Sequence, residues 1–176
     1  MIGAPILLVI GWFGWSKTKQ DRTKESFYAQ LKTAAGDIDA ARLNTQKVQN
    51  PCLAWLNSPA TPKKSIDTLR AELRDRCKPW PGLEDSYIAK VDGYQRLVRE
   101  GLSSNFVDDE DRRELNIAQN VWNVRRHEGE EAKQIAECTV NLSRDCYEGI
   151  FPLIDAIKIE DKQACSALAA VNQKCQ

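Results

Sequence analysis

The sequence predicts an all-α protein, with an N-terminal membrane helix continuing into a long helix, followed by a disulfide-stapled helical bundle. Three observations carry this. Apolar residues recur at helical steps of three and four, and no alternating strand pattern of useful length interrupts them. The first charged side chain is Lys17, so 16 residues pass without one. Six cysteines sit in a chain of 176 residues, long enough to bury a core without covalent help.

Composition narrows the function classes. At 42% hydrophobic and 28% charged the chain is that of one globular domain, not a disordered segment. Basic and acidic residues balance at 25 each, which argues against a general nucleic-acid binder. A single histidine removes multi-histidine metal sites and histidine relays. The expectation is therefore no catalytic residue, no cofactor and no metal.

Residues 1–16 form the first unit, a transmembrane or signal-anchor segment. Ile6, Leu7, Leu8, Val9 and Ile10 make its apolar centre, and Trp12, Phe13 and Trp15 suit an aromatic belt at the interface. As a helix the run spans about 24 Å, a little short of the roughly 30 Å hydrocarbon core, a gap that Lys17 and Lys19 can close by snorkelling. No basic region precedes it and no A-x-A site follows, as a cleaved signal peptide would require. The partner expected for this unit is membrane lipid. Lys17, Lys19, Arg22 and Lys24 favour a cytoplasmic body, whereas the cysteines favour export. Export is the expectation adopted, giving a single-pass inner-membrane protein with its body in the periplasm or an equivalent oxidising space.

Residues 17–50 form a helical stalk or the first bundle helix. Phe27, Leu31, Ala34, Ile38, Ala41, Thr45 and Val48 make a heptad-like seam, open either to bundle packing or to a homo-oligomer through residues 27–48. Asn50-Pro51 is expected to stop this helix. Residues 51–176 form the stapled helical domain. Within it Ser65 is a candidate N-cap for a short helix ending near Cys77, and Pro79-Trp-Pro-Gly82 is a break. A further helix is expected from about Leu83 to Glu100 with Gly101 as its cap. The acidic run Asp108–Asp111 suits the N-terminus of a long central helix reaching Gly149. That helix has two apolar stripes, one through Leu115, Ala118 and Trp122, the other through Ile117, Val121 and Val124. Pro152 is expected to end it, and a final helix starts near Glu160.

The cysteines Cys52, Cys77, Cys138, Cys146, Cys165 and Cys175 suggest three bridges. Cys52–Cys77 would close the Pro-rich excursion. Cys138–Cys146 is excluded if both lie on one helix, being about 12 Å apart, and Cys165–Cys175 likewise at about 15 Å. The favoured remaining pairing, Cys146–Cys165 and Cys138–Cys175, would join the last two helices as an antiparallel hairpin; the azimuths of the cysteines match less well than their axial spacing, so a parallel arrangement stays open. No C-x2-C spacing supports zinc, and His127, in Arg125-Arg-His-Glu-Gly129, is expected on a solvated helix face. Asn141-Leu-Ser143 matches a glycosylation sequon but falls mid-helix in this scheme.

Charge is uneven by segment. Residues 16–50 carry seven basic and four acidic side chains (+3), residues 51–107 nine and seven (+2), and residues 108–149 six and eleven (−5). The central helix can thus pair with basic segments of the first half or with a partner. Together these features predict a non-enzymatic, membrane-anchored interaction protein, a subunit or accessory factor of a cell-envelope assembly, with protein partners of unspecified identity. One alternative is a periplasmic inhibitor or immunity-type binder. In outline (anchor, coiled helix and cysteines) the chain also resembles an inner-membrane spanin, which would make it a phage lysis factor. Its short helices and Trp-Pro turns between Pro51 and Gly82 depart from that mostly extended class.

Overall fold

A computed structural model describes residues 19–56, 65–141 and 144–169, and every element among them is an α-helix: α1 (Lys19–Leu56), α2 (Ile66–Cys77), α3 (Trp80–Ser103), α4 (Asp109–Asn141) and α5 (Arg144–Ala169). No helix among the described residues is long and apolar enough to cross a membrane. The anchor residues Ile6, Leu7, Leu8, Val9, Ile10, Trp12, Phe13 and Trp15 lie outside the described residues.

The helices run up and down in the spatial order α1, α3, α4, α5. Lys90 of α3 reaches Asp37 of α1, while Gly101 lies against Phe27, so these two helices are antiparallel. Phe27, Leu31 and Ile38 of the seam pack on Tyr87, Val91, Tyr94 and Val98 of α3, with Leu115, Ala118 and Trp122 of α4 completing the core. The seam is thus used as a bundle face within the chain, and a homo-oligomer formed through it would have to displace α3. The two stripes of α4 divide as helical geometry dictates: the first faces α3, and Val121 of the second meets Ala164 of α5. A second core gathers Cys52, Leu73, Cys77, Trp80, Ile135 and Ala136, with Trp55, Leu153 and Ile157 against it.

Several boundaries depart from the sequence pattern. Pro51 lies inside α1, which continues to Leu56, because the turn after it carries Cys52 and Leu53 into the second core. The Pro79–Gly82 break shrinks to a two-residue turn at Lys78 and Pro79. Trp80 opens α3, with a proline in the first turn, where its missing N–H leaves no bond unmade. Gly101 is not a cap but a buried position inside α3, and Ser104 ends the helix instead. A Cβ at Gly101 would stand 2.9 Å from Phe27 Cε1 and closer still to Cζ, so glycine is required there for helix approach.

The largest departure is in the last third of the chain. The central helix ends at Asn141 and not at Gly149, and α5 starts at Arg144 and runs through Pro152. Leu153, Ile157 and Ala164 pack on α4, and that burial outweighs the backbone cost of an interior proline. Asn141 is consequently an exposed helix end and not a mid-helix residue. By contrast α2 begins where expected, with the Ser65 hydroxyl accepting from the Thr68 N–H.

Candidate functional site

α4 carries the run Arg125-Arg-His-Glu-Gly129-Glu-Glu131. Residues four apart share a helix face, so His127 and Glu131 project together. Gly129 between them is buried: a Cβ there would meet the Tyr87 ring at 3.0 Å, so α3 sits close behind. On the other side α5 runs antiparallel to α4 and brings Glu160 and Asp161 level with the same turn.

Two polar groups result. In one, the Arg125 guanidinium binds Glu128 at 2.7 Å and Asp161 at 2.6 Å. Burial alone would lower Arg125, but these two carboxylates outweigh it and hold the guanidinium above its ordinary value. Glu128 is pushed up, chiefly by its own burial, although Arg125 opposes the shift. In this group one guanidinium serves two carboxylates.

The other group is different. His127 Nδ1 lies 2.5 Å from Glu160 Oε1 and 3.8 Å from Glu131 Oε1. Among the described residues these three converge, with their ligand atoms all within 4.8 Å of one another. The His127 side chain is 57% exposed, whereas that of Glu131 is 8% exposed. Glu131 Oε2 and Glu160 Oε2 are both buried without a hydrogen-bond partner. Burial, then the charge of Glu160, pushes the Glu131 carboxyl above its ordinary value, and His127 opposes this. Two carboxylates therefore share one half-exposed imidazole, with an oxygen on each left unsatisfied.

His127 and Glu131 were visible in the sequence only as an i, i+4 pair on a polar face. Glu160, the third member, is 29 residues further on, and nothing local connects it to Glu131. The charge expectation fared unevenly. Lys24 of α1 does bind Asp108, at 2.9 Å, and Asp111. Elsewhere α4 supplies the base and not the acid, in Arg126–Asp92 and Lys133–Asp85 to α3 and Arg125–Asp161 to α5.

The sulfurs of Cys52 and Cys77 are at bonding distance, with their Cα atoms 5.7 Å apart, as the sequence suggested. Cys138 and Cys165 each also take part in a disulfide. The favoured Cys146–Cys165 bridge is overturned, since both residues lie on α5, 19 positions and about 28 Å apart. The ground for excluding Cys138–Cys146 also falls, because Cys138 lies on α4 and Cys146 on α5, so the two do not share a helix. The side chain of Cys146 and the whole of Cys175 lie outside the described residues. No family model, curated protein or solved structure matches the chain.

Proposed function

We propose that the chain is a membrane-anchored interaction protein without enzymatic activity, whose helical body serves as a subunit or accessory factor of a cell-envelope assembly. The observation that carries this reading is a pairing of two features: an apolar, charge-free run of 16 residues, and a body with disulfide-bonded cysteines. A bridge persists where thiols are kept oxidised, and an apolar run of that length has lipid as its natural solvent. The inner membrane, with the body in the periplasm or an equivalent space, satisfies both.

The continuity of α1 adds support. Among the described residues it begins at Lys19, close in sequence to the apolar run, and its seam belongs to the body core. A body tethered so few residues from its anchor stays near the membrane, which suits a partner embedded in or resting on the same membrane.

Affinity purification in mild detergent, followed by identification of the co-purifying chains, tests the reading. A stoichiometric set of several envelope proteins is the expected result. A single tight partner of enzyme or toxin type would replace it with the inhibitor reading. An outer-membrane lipoprotein would replace it with the spanin-like one.

A further inference from the structure

We propose that His127, Glu131 and Glu160 form a binding site for a first-row divalent metal ion of the zinc kind, spanning α4 and α5. No metal-ligand spacing in the chain points to one, and the anchoring and interaction roles proposed above do not require it.

The donor set has the right chemistry. One imidazole nitrogen and two carboxylate oxygens from neighbouring helix turns suit zinc and its neighbours in the first row, whereas magnesium and calcium take oxygen ligands alone. The separations are near those of a filled site. Donors about 2.1 Å from one ion stand at most about 4.2 Å apart, and these lie within 4.8 Å of one another. The 2.5 Å contact from His127 to Glu160 must widen when an ion enters between them. His127 is the ligand free to do this, because its ring is half exposed.

Acidic clusters are common on helix surfaces, and the buried oxygens are what set this one apart. The Glu131 side chain is more than nine-tenths buried, yet its Oε2 has no hydrogen-bond partner, and Glu160 Oε2 shares that condition. An unsatisfied buried carboxylate oxygen is costly, and here there are two of them on facing helices. The nearby Arg125 directs its Nη1 to Glu128 and Asp161 and makes no ion pair with either of these two carboxylates. A divalent cation would neutralise both carboxylates at once. His127 would complete three protein ligands, with water in the remaining positions on the exposed side. Because the ligands come from two helices, the ion would also clamp α5 to α4.

The test uses the oxidised, untagged full-length chain, so that neither free thiols nor a histidine tag competes for metal. With one histidine in the sequence, the imidazole resonances of 15N-labelled protein report on His127 alone. Adding zinc chloride should shift them and saturate at one equivalent per chain, while the same concentration of magnesium chloride should not. Glu160→Gln and Glu131→Gln should each weaken zinc binding at least about tenfold by calorimetry. Both variants should remain folded by circular dichroism, since each removes a repulsive charge. Unmoved imidazole resonances, or zinc affinity unchanged in both variants, would overturn the proposal. Resonances that respond to pH but not to zinc would do the same and leave the cluster an ion pair.

Discussion

Gly101 shows how a single atom can decide helix packing. Its hydrogen lets α3 lie against the Phe27 ring of α1, and Phe27 is itself buried in the first core. Gly101→Ala gains up to about 1 kcal/mol of helix propensity. It also forces a methyl into space the ring already fills, and overpacking of this kind costs about 1–3 kcal/mol. A net destabilisation of about 1–2 kcal/mol in urea unfolding is expected, and Phe27→Leu in the same background should recover part of it. Glu84 presents a second case at this scale. It is buried beside Trp80, whose Nε1–H donates to its carboxylate at 2.9 Å. Burial pushes the carboxyl up from its ordinary 4.5 to about 7, against the pull of that bond. Between these two pH values the folded chain holds a proton that the unfolded chain has lost. Stability from this group is therefore full below pH 4.5 and falls as pH rises to about 7, by about 3 kcal/mol in all. Glu84→Gln keeps the acceptor oxygen for Trp80 and cannot ionise. It should be near neutral in effect at pH 4.5 and stabilising by up to about 3 kcal/mol at pH 8, read from denaturation midpoints at the two pH values.

Between helices, what was legible depended on how local the signal was. The Ser65 cap of α2 could be found from the sequence because hydroxyl and N–H lie three residues apart. Pro51, Pro152 and Gly101 gave equally local signals that misled, because burial on a neighbouring helix overrode each one. The end of α4 had its own cue in Asn141, whose side chain competes with the helix backbone, but an unbroken apolar periodicity masked it. Misplacing that boundary put Cys146 and Cys165 on different helices, when both lie on α5. Peptide mapping under non-reducing conditions should return a Cys52–Cys77 link and no Cys146–Cys165 link. Recovery of the latter would mean that α5 does not run unbroken between them. The α1–α4 junction makes another checkable case. Asp111 is fully buried and its ion partner is Lys24, which also binds the capping residue Asp108. Lys24→Met strands a buried carboxylate and should cost about 2–4 kcal/mol, less than a wholly buried pair because Lys24 is partly solvated. Adding Asp111→Asn should restore most of the loss; failure to do so would mean that Lys24 contributes by packing and not by charge.

Taken whole, the molecule is a helical body that joins its outermost helices to the core through α3 and α4. The all-α class and the apolar faces were open to a sequence reading because helical periodicity recurs within each segment. The convergence of His127, Glu131 and Glu160 was not, because it depends on the antiparallel register of α4 and α5. Compartment is the property on which the proposed function rests, and the cysteines report on it directly. The measurement is thiol trapping in intact cells: acid quenching, alkylation with a mass-tagged maleimide before and after reduction, and counting of the tags per chain. No reactive thiol before reduction and six after it are expected, in protein that stays with the membrane fraction through an alkaline wash. Six reactive thiols before reduction, in protein released by that wash, would contradict the proposed compartment.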